Sequence, residues 1–210
     1  FYREWPADRP REEYYREFLA RPLREFLAPY EAEARELAER AGKKLAPFDW
    51  DGAEIRVWGK TYGEVFAAMV HVFRNIVAHA LETTGERTAR GISPEGHIVV
   101  AAAPFTWGDR RGLSISISDD GRGIDPERIR QKVLSVDPDD PGAQAADEAI
   151  IQRIFDGKFS TNEAADELSG RGVGLSALKE AVESMGGDIR VDSVLGKGTT
   201  FSIRLPWIDI

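Results

Sequence analysis

The sequence contains no cysteine, so disulfides, thiolate nucleophiles and Cys-ligated zinc are excluded together. Histidine occurs only three times in 210 residues, which argues against a His-rich metal centre. No apolar run approaches the ~20 residues that a membrane-spanning helix needs, and no signal peptide is visible. Positive charge is in deficit: 28 Lys and Arg face 36 Asp and Glu, a formal charge of −8. That balance argues against a general binder of nucleic acid or anionic membrane, and a cytoplasmic location is expected. Hydrophobic residues at 42% and charged residues at 30% are ordinary globular values, so collagen-like and wholly disordered classes are out. The length suits one domain with an appendage, or two small domains. A chain that opens on Phe1 rather than Met is expected to be part of something longer.

What is present reads as alternating helices and strands. Residues 1–29 are dense in charge and aromatics and are cut by prolines at 6, 10, 22 and 29, which predicts a short helical linker with one helix near 12–20. Ala34, Leu37, Ala38, Ala41 and Leu45 predict a helix over 30–44 that ends at Gly42. A strand follows at 53–58, then a long helix over 62–82 with Phe66, Met69, Phe73, Ile76 and Val77 along one stripe. Residues 83–96 read as a polar loop. Strands are expected at 97–105 and 113–118, the second in strict alternation. Asp125-Pro126-Glu127 opens a helix: Asp caps, Pro takes the first position and Glu suits the positive end. Residues 135–172 show little periodicity beyond 145–155 and are expected to be a lid. A helix from Leu175 to Met185 and two strands around Gly196-Lys197-Gly198 complete the chain. The order predicts an α/β two-layer sandwich over residues 30–210, with a mixed sheet and helices on one face.

Four features carry chemistry. His71, Asn75 and His79 recur every four residues, so they share one face of the long helix. An Asn carbonyl is a hard oxygen ligand suited to Mg²⁺, and His is the usual general base; the competing reading is a solvated helix face. Asp119 has the parity of Leu113, Ile115 and Ile117, so it continues their apolar face. A carboxylate there must find donors or stay wet, and an adenine amino group is one such donor. Gly121 and Gly123 beside it let backbone approach a ligand. Residues 169–178, SGRGVGLSAL, run three alternating glycines into a helix, an anion-binding arrangement when its N–H groups are free. Within 154–161, IFDGKFST, two phenylalanines can anchor a segment whose Ser160 and Thr161 reach phosphate oxygens; two core aromatics is the plainer reading. No GxxxxGK[ST] is present, so a P-loop is excluded, and no strand precedes the glycines as a dinucleotide-binding βαβ unit requires.

Taken in order, HVFRNIVAHALE, ISDDGRGIDPERIRQKV, IFDGKFST, SGRGVGLSALKEAVESMGGDIRVDS and GKGTTFSIRLP resemble the motifs of the GHKL ATPase superfamily, and within it those of the chemotaxis-type sensor histidine kinases. The resemblance covers about residues 30–206. It implies a Bergerat-type fold that binds ATP with Mg²⁺ and hands the γ-phosphoryl group to a histidine elsewhere. It implies Asn75 as the Mg²⁺ ligand, His71 as the catalytic polar residue near the γ-phosphate, and His79 as a further phosphate or metal contact. Asp119 is implied as the adenine anchor, with Gly121 and Gly123 shaping the pocket. Gly170, Arg171, Gly172 and Gly174 are implied as hinge and phosphate cradle. Arg128, Lys132, Ser160 and Thr161 are placed near phosphates, and Thr199 and Thr200 near the adenine. The implied partners are a phosphotransfer domain carrying the acceptor histidine, a response regulator downstream, and a second copy joined through N-terminal helices. Chemotaxis kinases read Asp-His-Gly where this chain has Ala78-His79-Ala80. That loss favours the alternative of a degenerate binding module without kinase activity. A different GHKL ATPase or serine kinase is the other alternative, opposed by the short 83–97 loop.

Overall fold

The computed structural model describes residues 19–157 and 174–208. A small antiparallel pair, β1 (Ala20–Pro22) with β3 (Arg56–Trp58), stands apart from the main sheet. The main sheet runs β2 (Asp49–Asp51), β4 (Ile98–Trp107), β5 (Arg110–Asp119), β7 (Gly198–Pro206), β6 (Asp188–Val194). Only β2–β4 is parallel; the other pairs are antiparallel, so the sheet is mixed as expected. Period-two alternation decides its two faces. Ile98, Val100, Leu113, Ile115, Ile117, Val191, Phe201, Ile203 and Leu205 are buried, while Val99, Ser114, Ser116, Ser118, Thr200 and Ser202 point the other way. The helices cover the first face.

The helical layer differs from the sequence reading in three places. First, α1 spans Leu23–Arg40 and passes through Pro29. Leu23, Leu27, Ala34 and Ala38 are its buried residues, and Pro29 lies on the exposed side. There the carbonyl deprived of a partner can reach water, and burial of the stripe outweighs the loss. Ring pairs Phe26–Phe66 and Phe48–Phe73, each 5.3 Å between centroids, tie this region to the next helices. Second, the long helix is α2 (Gly59–Ala68) and α3 (Val70–Asn75) in succession, continued by a π-turn over Ile76–Ala80. Third, the expected loop 83–96 contains α4 (Thr84–Ala89), started by a capping box in which Thr83 and Glu86 exchange hydrogen bonds. The expected strand 53–58 shrinks to β3, and β2 forms where no strand was expected. Its three residues are too few for periodicity to show.

α5 (Pro126–Val136) begins on the Asp125 cap as expected and buries Ile129 and Val133. Beyond it come a 3₁₀ turn (Pro141–Gln144), α6 (Asp147–Ile150) and a second 3₁₀ turn (Ile151–Phe155). This first half of the expected lid is packed rather than loose: Ala143, Ile150, Ile151 and Phe155 are buried. The Gln152 side chain both donates to the Val191 carbonyl and accepts from the Val191 N–H, covering the outer edge of β6. The helix expected at 12–20 and residues 158–172 of the expected lid lie outside the described residues. α7 (Gly174–Ser184) buries Leu178 and Val182 and packs on α2 and α3. Among the described residues no helix is long and apolar enough to cross a membrane.

Candidate nucleotide-binding site

The last buried position of β5 is a carboxylate. Asp119 is 8% exposed, and its Oδ1 accepts a hydrogen bond from the Gly121 N–H at 2.9 Å. Its Oδ2 is buried without a partner. A buried acceptor left unsatisfied costs ~1–3 kcal/mol, so it asks for a donor. Burial pushes the carboxyl up to about 6. The N–H groups of Gly121 and Thr199 pull it down, and the charges of Asp120 and Glu82 push it up. An amino group presented to Oδ2 would satisfy the atom and favour the ionised form.

Backbone crowds around this carboxylate. A Cβ on Gly121 would run into the Ala80 carbonyl, and the Arg122 N–H donates to that same carbonyl at 2.9 Å. The glycine turn is thereby tied to the end of the Asn-bearing helix. Gly198 sits at φ +114°, where a Cβ would strike the Asp119 carbonyl oxygen. Gly123 lies against the Val194 carbonyl. Thr199 pairs directly with Asp119 across the ladder, is buried, and shares its hydroxyl with Ser193 at 3.0 Å.

The Asn-bearing helix supplies the second wall. Its π-turn ends with the Leu81 N–H donating to the Ile76 carbonyl. Turns of this kind leave carbonyls that need other donors and recur at functional sites. Lys43 supplies one: its Nζ donates to Val77 O at 2.6 Å and Ala78 O at 3.0 Å. Lys43→Met is expected to lower stability by about 2 kcal/mol, or about 4–8 °C in melting temperature. Thermal unfolding followed by circular dichroism checks this; an unchanged melt would mean that water serves those carbonyls equally well.

Asn75 is half-buried at the start of the π-turn, and His79 is exposed within it. His71 is half-buried, and Gly174, the first residue of α7, lies so close to its ring that a Cβ there would sit 2.9 Å from the imidazole. Burial lowers the His71 pKa; the neighbouring Arg74 lowers it further, and Glu33 opposes them. Burial thus favours the neutral imidazole. Arg74 is itself held by Glu33 of α1, with Nε to Oε1 at 2.7 Å.

Asp119, Gly121, Gly123 and Thr199 thus meet at one strand end. Ala80 joins them to the Asn75 and His79 helix, and Gly174 meets His71. Thr200 is not brought in: β7 alternation turns it to the opposite sheet face, where its hydroxyl meets Ser118 at 2.9 Å. Arg128 has a side chain 84% exposed beside Asp125 on α5, and Lys132 is half-buried one turn on. Ser160, Thr161, Gly170, Arg171 and Gly172 lie outside the described residues. Sequence reasoning passed over Lys43 and the buried Arg87. Lys43 reaches 34 residues along the chain, and Arg87 sat in a stretch read as loop; neither carries a local signal.

The donor set fits a nucleotide. The partnerless Oδ2 beside two close backbone walls suits an adenine amino group. Among the described residues no cluster of three or more His, Asp or Glu could hold a metal by itself. A Mg²⁺ ion that keeps waters and phosphate oxygens needs only one or two protein donors, and the Asn75 amide oxygen is of the right hardness.

Residues 65–208 match the family described as histidine kinase-, DNA gyrase B-, and HSP90-like ATPase. A gliding motility regulatory protein of Myxococcus xanthus is 37% identical over 188 residues, covering 88% of this chain and 23% of that protein. A chemotaxis protein CheA of Rhizobium meliloti is 32% identical over 188 residues, covering 89% and 24%. A chemotaxis protein CheA of Borreliella burgdorferi is 34% identical over 185 residues, covering 88% and 21%. The chain spans under a quarter of the length of these curated relatives. The partnerless carboxylate at the strand end, the glycine turn bonded to the Asn-bearing helix and the match over most of the chain lead to one assignment: the chain belongs to the histidine kinase-, DNA gyrase B- and HSP90-like ATPase family and is an ATP-binding catalytic domain of the histidine kinase kind.

Proposed function

We propose that this domain binds Mg·ATP with the adenine amino group on Asp119 Oδ2 and the phosphates toward Asn75, His71 and the start of α7. It then transfers the γ-phosphoryl group to a histidine on another domain or protein. The partnerless Oδ2 of Asp119 carries the reading. Mg²⁺, when bound, would supply charge neutralisation at the phosphates. Asn75 would hold it, with His79 a further contact. Burial favours the neutral form of His71, which lies beside Gly174 at the start of α7, so it can accept a hydrogen bond or a proton. In the transfer an imidazole nitrogen attacks phosphorus, the bond to the ADP oxygen breaks, and the imidazole N–H proton is released. Positioning and charge neutralisation supply most of the acceleration.

The acceptor is not one of this chain's own histidines. His71 and His79 belong to the Asn-bearing helix. His97 is half-buried before β4, with its N–H donated to Asp120 Oδ1 at 2.8 Å. A phosphotransfer domain carrying the acceptor, a response regulator downstream and a second copy of the chain are the proposed partners. The test uses γ-labelled ATP with Mg²⁺. The isolated chain is expected to gain no acid-labile label. Addition of a separate phosphotransfer domain moves label onto that domain, and Asn75→Ala abolishes the movement while adenosine binding persists. Stoichiometric acid-labile label on the isolated chain would overturn the proposal.

A further inference from the structure

Arg87 is among the most buried side chains, 1% exposed and carried on the short helix α4. All three of its nitrogens are used. Nε donates to Ser93 O at 2.7 Å, and Nη2 to Asp120 Oδ2 at 2.7 Å. Nη1 is shared among Asp120 Oδ1 at 3.2 Å, the Asp120 carbonyl at 3.3 Å and Glu82 Oε2 at 3.4 Å. Arg87 therefore holds both the carboxylate and the backbone of the residue that follows Asp119. Strand alternation sends the side chains of Asp119 and Asp120 to opposite sides. Fixing the Asp120 peptide and carboxylate fixes the direction in which Asp119 points. Glu82 extends the clamp. It lies two residues beyond Ala80, whose carbonyl receives Arg122, and it is also met by Arg90, which reaches the Gly196 carbonyl at 2.7 Å. The end of the Asn-bearing helix, α4, the end of β5 and the β6–β7 turn are joined around one guanidinium.

We propose that Arg87 is a positioning residue for nucleotide binding: its fork on Asp120 and its contact with Glu82 hold the Asp119 carboxylate at a set distance from the Asn75 helix. The inference rests on the reading of Asp119 as the adenine anchor. A buried ion pair adds little net stability over apolar residues of the same shape, so geometry and charge balance are what this one supplies. The balance acts on Asp119. The charges that act on it are Asp120, the residue just past the end of β5, and Glu82 beyond the Asn-bearing helix, both raising its pKa. Arg87 pairs with both from α4, and Arg90, Arg122 and Lys43 lie around Glu82 and Glu86. β7 contributes only the neutral Thr199 and, from β6, Ser193.

The experiment measures ATP affinity by calorimetry between about pH 5 and pH 8, with thermal unfolding recorded at each pH. Arg87→Lys keeps the charge and loses the fork; its affinity is expected to fall about tenfold with little movement of the pH midpoint. Arg87→Gln weakens binding further and moves the midpoint upward, because Asp120 and Glu82 are left uncompensated. Asp120→Asn moves the midpoint downward by roughly half a pH unit or more, since a negative neighbour is removed. It also keeps the test alive where Arg87→Gln fails to fold. An Arg87→Lys affinity equal to wild type, an Arg87→Gln loss that is equal at every pH, or an Asp120→Asn midpoint equal to wild type would overturn the proposal and leave Arg87 merely structural. Asp119→Ala separates the two readings. If it leaves ATP affinity unchanged, the adenine anchor itself is wrong. If it weakens ATP while the Arg87 and Asp120 variants behave as wild type, only the positioning role fails.

Discussion

Asp119→Asn is expected to weaken ATP binding about tenfold to a hundredfold while leaving the nucleotide-free fold at least as stable at pH 8. The two effects share one atom. In the wild type, Oδ2 is a buried acceptor with no partner, and burial raises the carboxyl to about 6. The native state therefore holds a proton that the unfolded chain has already released, whose carboxyl keeps its ordinary value near 3.8. Stability from this group is greatest below about pH 4 and is lost as pH rises toward about 6, by ~3 kcal/mol, with no further change above that. An amide at 119 removes this charge penalty, although its unpaired NH₂ takes back ~1–2 kcal/mol. Toward ATP the amide is worse in either orientation: one turns a donor toward the adenine amino group, the other a donor toward the Gly121 N–H. The same pKa sets a pH dependence. Below about 6 the wild-type carboxyl carries a proton, so ATP affinity falls with falling pH and binding releases a proton. Calorimetry in buffers of different ionisation enthalpy reads that proton directly. Affinity that is flat through pH 6 would show that Asp119 does not meet the base.

The second large effect is expected at Gly198. Gly198→Ala should lower stability by about 4 kcal/mol or more, a fall of at least about 8 °C in melting temperature. Two costs combine there. The φ of +114° is one that L side chains rarely adopt, and a Cβ would meet the Asp119 carbonyl, a backbone atom that cannot swing aside. Gly42 and Gly91 separate the two costs. They sit at φ +68° and +72° with nothing within 4 Å of an added Cβ. Gly42→Ala and Gly91→Ala should therefore cost only about 1 kcal/mol each, the conformational part alone. Thermal melts of the three variants decide the matter, and equal shifts would rule out the close approach of β7 to the Asp119 carbonyl. Gly198→Ala should also disturb nucleotide binding at temperatures where it remains folded, because the clash displaces the strand end that carries the carboxylate.

Much of this site was legible because its signals are local. The alternation Leu113-Ile115-Ile117 carries its parity to Asp119 without help from the rest of the chain, and the structure buries that residue as the parity requires. Asp125-Pro126 caps its helix by contacts two residues apart. The same rule separates Thr200 from Thr199, and the structure turns Thr200 to the sheet face opposite Asp119. Phe201, Ile203 and Leu205 alternate, so Thr199 shares their face and Thr200 does not.

Other features depend on partners distant in sequence. The π-turn after Asn75 has its exposed carbonyls met by Lys43, 34 residues earlier. The helix through Pro29 persists because Leu23 and Leu27 have a core to enter, which composition alone does not show. Arg87 reads as one more surface charge until α4 folds and sets it between Glu82 and Asp120. By itself the sequence determined the strand parity, the helix caps and the order of motifs, since each is set by neighbours within a few residues. Only the tertiary structure decided which backbone walls close on Asp119, which charges face it and which threonine stands beside it. Those are contacts between segments brought together by burial of a shared core, and their energies exist only once that core has formed.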